Sequence, residues 1–326
     1  MEICNKKILI TGGLGFIGSN LARRLIGNGN EITLIDSLTP EYGGNLRNIY
    51  DITDHVNVNI SDVRDSFSIL ELIKEKDILF NLAGQTSHLD SMSDPITDLD
   101  INAKAQLSIL EACRLNNPSI RIVFASTRQV YGMPKYLPVD EKHPLNPVDV
   151  NGVNKIAGES YHLLYNRIYK IPTCILRLTN TYGPRMRIKD ARQTFLGIWI
   201  RNIVEKKSIS IFGSGSQRRD YNYIDDVVDA LLISATQSFA IGKIFNLGSE
   251  KSLNLKETAE IMCNFNDDSS YKLVPFPKER KAIDVGDFIS DFGLFNSLFQ
   301  WTPRVSFQDG IKKSIQFYQK ELKYYI

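Results

Sequence analysis

The chain has little of what extracellular, metal-binding or membrane proteins carry. Its 326 residues include four cysteines, Cys4, Cys113, Cys174 and Cys263. They lie far apart and form no Cys-x-x-Cys pair, so neither a disulfide framework nor a zinc site is expected, and no metal is assigned. They read as free thiols of a reducing compartment. Charge of either sign is not in excess: 39 Lys and Arg against 37 Asp and Glu leave a net +2. That balance gives no reason to expect nucleic acid or a membrane surface as partner. No run reaches the roughly 18 apolar residues of a membrane span, and residues 1–7 hold no apolar signal core. A cytoplasmic protein is the expectation. Internal repeats and low-complexity linkers are also missing.

What is present is a composition ordinary for a globular chain, 43% hydrophobic and 23% charged. Short apolar runs at 7–11, 31–35, 56–60, 78–82 and 120–125 alternate with helical patterns at 16–26 and 103–115. Further strands are expected at 173–178 and 243–247. Near-continuous apolar strands separated by helices predict an α/β fold, a Rossmann-type doubly wound parallel sheet covered on both faces. The alternation breaks down after about residue 180, where Gly183-Pro184, Gly213-Ser214-Gly215 and Pro275-Phe276-Pro277 punctuate the chain. The expected organisation is a dinucleotide-binding domain over 1–180, a smaller α/β lobe for substrate over 181–326, and a segment near 220–250 returning to the first domain. An exposed turn is expected at 266–270.

The first strand runs into Thr11-Gly12-Gly13-Leu14-Gly15-Phe16-Ile17-Gly18. Gly12, Gly15 and Gly18 give G-x-x-G-x-x-G between a strand and a helix, the arrangement that lets a pyrophosphate rest on a helix N-terminus. Asp36 closes the second strand, where a carboxylate accepts from both adenosine ribose hydroxyls and repels a 2′-phosphate. That favours NAD over NADP. Asp62-Val63 follows the third strand, within reach of an adenine amino group. Leu82-Ala83-Gly84 ends the fourth with small residues that leave a dinucleotide room to pass.

These motifs, with NLAGQ at 81–85, AST..VYG at 125–132, LRLTNTYGPR at 176–185 and RRDYNYIDDVVDA at 218–230, give a chain that resembles the extended short-chain dehydrogenase/reductases of the NAD-dependent sugar epimerase/dehydratase group. The resemblance spans essentially all 326 residues. It implies bound NAD that takes a hydride from a sugar carbon, usually C4, while a base takes the hydroxyl proton. The cofactor residues it implies are Gly12, Gly15, Phe16, Ile17, Gly18, Asp36, Asp62, Val63, Leu82, Ala83, Gln85 and Lys155. Thr127 matches the residue that holds the reacting hydroxyl. Asn180 matches a contact to the diphosphate region, and Arg219 the arginine that pairs with the pyrophosphate. Ser91, Arg185 and Arg280 complete the implied substrate set. A homodimer built on helices 103–115 and 152–170 as a four-helix bundle is also implied.

Two departures bear on the reaction. The family's helix carries Tyr-x-x-x-Lys; here Asn151-Gly152-Val153-Asn154-Lys155 stands in its place. Lys155 matches the lysine, but Asn151 does not ionise and is no general base. The other Tyr-x-x-x-Lys, Tyr131 to Lys135, is interrupted by Gly132 and Pro134 and presents no helical face. Replacement bases are His88, Tyr182 and Lys155 itself. His88 follows the fourth strand, and histidine ordinarily titrates near neutral pH. The second departure is Arg128-Gln129 after Thr127, where dehydratases carry a carboxylic acid, so dehydration is disfavoured. The expected function is oxidation of C4 of a nucleotide sugar. The pattern is most similar to that of dehydrogenases acting on GDP-D-glycero-α-D-manno-heptose for capsular polysaccharide, with a 2-keto acid as candidate acceptor for reoxidising NADH. A nucleotide-sugar 4-epimerase and a catalytically silent binding protein are the alternatives.

Overall fold

The computed structural model describes residues 2–192, 194–266 and 268–326; Asp267, within the expected turn, lies outside them. Seven strands form one parallel sheet: β1 (Lys7–Thr11), β2 (Glu31–Asp36), β3 (Asn57–Ile60), β4 (Ile78–Asn81), β5 (Arg121–Thr127), β6 (Thr173–Leu178) and β7 (Lys243–Asn246). Their spatial order is β7-β6-β5-β4-β1-β2-β3. The order reverses between β1 and β4, and open α/β sheets bind ligands at the carboxyl ends of the strands flanking such a switch point.

Pleating decides which side chains go to which layer. In β1, Ile8 and Ile10 pack with Leu34, Phe80 and Val123 in one core. Leu9 points the other way, with Ile35, Leu79 and Ile122. All three β1 residues are fully buried, which is why the strand reads as an unbroken apolar run. Helices α1 (Phe16–Leu25) and α8 (Ile224–Thr236) cover the first face. Helices α2 (Ser66–Ile73), α5 (Ala105–Asn116) and α6 (Val150–Tyr169) cover the second. Between β4 and β5 the chain forms two short helices, α3 (His88–Ser93) and α4 (Pro95–Leu99). The helix expected from residue 103 instead begins as a π-helical turn, Asp100–Lys104, that passes into α5.

The later residues add α7 (Phe195–Val204) and three small strand pairs. Ile209–Phe212 runs parallel to Tyr271–Val274, Asn180–Tyr182 parallel to Tyr221–Tyr223, and Arg218–Arg219 antiparallel to Leu253–Asn254. This smaller assembly stands over the carboxyl ends of the sheet and turns the switch point into a cleft. Among the described residues no helix is long and apolar enough to cross a membrane.

Candidate active site

A cleft of about 910 Å³ runs from the β1–α1 turn, past the ends of β4 and β5, to the smaller lobe. The glycine turn forms one wall. Gly12 has φ +68°, and a Cβ on Gly18 would collide with the Gly12 carbonyl oxygen. Gly15 caps α1 without a side-chain hydrogen bond, so the first N–H groups of the helix face the cleft unspent, as an anionic pyrophosphate requires. Asp36 accepts from Leu14 N at 3.1 Å and Leu38 N at 3.0 Å. Burial raises its pKa, only partly offset by those bonds, and hydroxyl donors of a ribose would complete its shell. Asp62 is more committed: Arg64 takes both its carboxylate oxygens at 2.9 and 2.7 Å. Phe16, Ile17, Val63, Leu82, Ala83 and Gln85 all line the same cleft. The residues present fit a dinucleotide.

At the end of β5, Thr127 turns its side chain to the cleft and accepts from Gln129 N at 3.2 Å, leaving its own hydroxyl proton for a ligand. Lys155 comes up from α6 and donates to Ala125 O at 3.2 Å. Burial pushes its pKa down to about 8 against the raising effect of Asp98 and Glu159. Gly84 permits this approach, because a Cβ there would lie 3.1 Å from the Lys155 Nζ and 2.9 Å from Asn102 Oδ1.

Asn151 is fixed from behind. Its amide donates to Gln85 O at 2.8 Å and to Asp98 Oδ2 at 3.0 Å. Asn102 and Asn154 donate to the same Asp98 carboxylate at 3.0 and 2.8 Å. Three amides thus surround one fully buried carboxylate. Asn151 lines the cleft as part of this scaffold and, as a carboxamide, is no acid or base near neutral pH.

A titratable pair lies beside it. Asp149 is the N-cap of α6, accepting from Gly152 N at 2.7 Å and from Gln129 Nε2 at 2.9 Å. His88, from α3, brings Nδ1 to 2.9 Å from the same carboxylate. The contact is close but not aligned as a hydrogen bond, since Nδ1 has no partner by angle. Burial pushes the Asp149 carboxyl up; His88, Gly152 and Gln129 outweigh it and hold it below its usual range. His88 lines the cleft with Thr127, Asn151 and Lys155. The sequence does not mark Asp149 as a site residue; nothing local records its contact with His88.

Of the substrate residues expected, Thr127, Asn180, Arg219 and Arg280 line the cleft. Ser91 and Arg185 do not. Ser91 is buried and donates to His88 O at 2.8 Å, so it shapes α3 instead. Arg185 donates to Asn20 Oδ1 at 3.0 Å and lies over the Phe317 ring, its guanidinium carbon 5.2 Å from the centroid. Tyr182, considered as a base, is fully buried against Tyr221, Tyr223 and Phe307 and its pKa is driven up by burial. Among the described residues no cluster of His, Cys, Asp and Glu could hold a metal.

Comparison with known proteins places this architecture. The model of the NAD dependent epimerase/dehydratase family matches residues 8–248. A putative UDP-glucose 4-epimerase of Methanocaldococcus jannaschii is 35% identical over 316 residues, covering 95% of this chain and 97% of the relative. The crystal structure of a Thermotoga maritima UDP-glucose 4-epimerase with UDP-glucose superposes with TM-score 0.87 at 27% identity, covering 97% and 99% of the two chains. That of a Bacillus cereus UDP-glucuronic acid 4-epimerase, in complex with UDP-glucuronic acid and NAD, superposes with TM-score 0.84 at 25% identity, covering 97% and 99%.

Proposed function

This chain belongs to the NAD dependent epimerase/dehydratase family, and we propose that it uses NAD to oxidise C4 of a nucleotide sugar, with His88 as the base. The observation that carries the reading is the His88–Asp149 pair, 2.9 Å apart, in the same cleft as Thr127 and Lys155. It supplies a proton acceptor in a site whose helix carries Asn151 where the family resemblance implies a tyrosine.

When bound, NAD supplies the acceptor for the hydrogen that leaves C4 as hydride. Thr127 holds the C4 hydroxyl. Its proton passes to the free ring nitrogen of His88, and Asp149 stabilises the imidazolium that results. The sugar is left as the 4-ketone. Lys155 anchors the cofactor ribose, and Arg219 and Arg280 take the diphosphate charge. The roles of the cofactor residues Gly12, Gly15, Gly18 and Asp36 follow the same reading.

The finer proposal is GDP-D-glycero-α-D-manno-heptose as substrate, in making a capsular sugar, with reduced cofactor reoxidised by a 2-keto acid that leaves as the 2-hydroxy acid. Its support is the residue pattern around Thr127, Asn151, Asn180 and Arg280. The second reading is a nucleotide-sugar 4-epimerase, favoured by the 35% identical relative. An imidazolium that keeps its proton can return it after the keto sugar turns over. The homodimer is proposed on the exposed apolar face of α6, which presents Val153, Leu164 and Ile168.

The test is to add GDP-heptose to the NAD-loaded protein and follow the reduced-nicotinamide band and the product by NMR. Oxidation predicts a stable rise that bleaches with pyruvate or 2-oxoglutarate, and a 4-keto product. His88→Gln should lower the rate by roughly 10²–10⁴-fold. A C4 epimer with no net redox change sinks the dehydrogenase reading. An unaltered rate in His88→Gln removes His88 as the base.

A further inference from the structure

Arg128 stands directly after Thr127, lines the cleft, and is half-buried. Among the described residues its side chain makes no ion pair or hydrogen bond, and its Nη1 is sealed from solvent without a partner. A guanidinium on a free surface satisfies itself with water; a sealed N–H left unpaired costs free energy comparable to a lost hydrogen bond. The nearby acids are already engaged. Asp220 accepts from Thr179 Oγ1 at 2.6 Å and Ser290 N at 3.1 Å. Asp284 accepts from Gln217 at 2.6 Å and Arg219 at 3.3 Å. The ring of Phe288, fully buried, has its centroid 5.0 Å from the guanidinium carbon. Burial, with Arg219 nearby, pushes the Arg128 guanidinium down to about 10, as expected of a cation that lacks its counter-ion.

The other cleft arginines are placed differently. Arg219 is tied to Asp284 and to the Gly286 and Arg218 carbonyls. Arg280 stacks over Phe212, in the smaller lobe. These two are the arginines assigned above to the diphosphate. Arg128 follows Thr127 directly in the chain and lines the same cleft. A planar fork with free N–H groups matches a carboxylate in two parallel bonds.

We propose that Arg128 is the receptor for a carboxylate at the reacting end of the cleft. Resting on the C4-oxidation reading, this names the substrate class: the carboxylate belongs either to a free 2-keto acid or to C6 of a nucleotide-linked uronic acid. In both cases Arg128 selects for the anion and against its neutral counterpart.

Binding to the NAD-loaded protein, measured by calorimetry without turnover, separates this from the reading it rests on. The probes are UDP-glucose against UDP-glucuronate, GDP-mannose against GDP-mannuronate, and 2-oxoglutarate alone, with UDP and GDP as controls. Arg128→Gln should weaken one carboxylate probe by about tenfold or more while leaving the neutral sugar and the nucleotides unchanged. Arg128→Lys should recover part of the loss, and it stands in if the glutamine variant misfolds. Loss with 2-oxoglutarate alone identifies the free acid; loss with a uronate alone identifies the sugar. Equal weakening of UDP or GDP assigns Arg128 to the diphosphate and overturns the proposal, as does the absence of carboxylate preference in every pair. Because no chemistry is read, a protein that fails to oxidise C4 still returns an answer.

Discussion

At the scale of single residues, Asn151 decides most. A tyrosine placed back at 151 would have to displace two bonds that an amide makes to Gln85 O and Asp98. The site is buried, and Asp98 would lose one of its three amide donors. Leaving a buried acceptor short costs about 1–3 kcal/mol, and overpacking adds a similar amount. Asn151→Tyr should therefore lower the melting temperature by several degrees and fail to raise C4 oxidation. Calorimetry and the NADH assay check both; a variant that is equally stable and faster would mean that the tyrosine pocket is intact and His88 superfluous. Neither the scaffold role of Asn151 nor the isolation of Arg128 is legible in the chain. Both depend on residues tens of positions away.

At the scale of elements, α6 shows how one residue serves two purposes. Asp149 caps the helix and faces His88. Asparagine caps about as well as aspartate, so Asp149→Asn should keep the helix and remove the charge. The expected result is a melting temperature modestly below wild type at neutral pH that converges with it in acid, with a fall in rate and a shifted pH–rate profile. The acid limb of stability gives a second readout. A carboxyl held below its ordinary pKa stabilises the fold above the unfolded value and loses that stability as pH falls through the folded one. Asp149→Asn should flatten that loss in a thermal scan from neutral to acid pH. An unchanged pH–rate profile would confine Asp149 to capping. The strands and the glycine turn were legible because they are local: a run such as Ile8-Leu9-Ile10 has no polar face and must be buried on both sides. Helix starts were less so. The π-helical turn at Asp100–Lys104 holds no Gly or Pro to mark it, and it brings Asn102 to the Asp98 carboxylate that α6 also reaches through Asn154.

At the scale of the molecule, the sheet and the smaller lobe share one long core cluster, from Ile8 in β1 to Tyr318 near the C-terminus, and the cleft lies between them. The unpartnered apolar face of α6 bears on the assembly. Val153 and Ile168 are each more than half exposed, at 54% and 55%, and exposed apolar patches of this kind mark contact sites. Light scattering should give a dimer for the wild type, and Val153→Asp with Ile168→Asp should give a folded monomer. A monomeric wild type overturns the proposed bundle.

By itself the sequence determined the parallel sheet, the dinucleotide turn and the absent tyrosine, since each rests on the order and chemistry of neighbouring residues. Only the tertiary structure decided which side chains meet around Asn151. Bringing His88 of α3 to Asp149 at the head of α6, tying Asn151 to Asp98, and setting Arg128 against Phe288 are contacts across the fold. Side chains far apart in the chain meet only when the helices pack on the sheet, and no local pattern records that meeting.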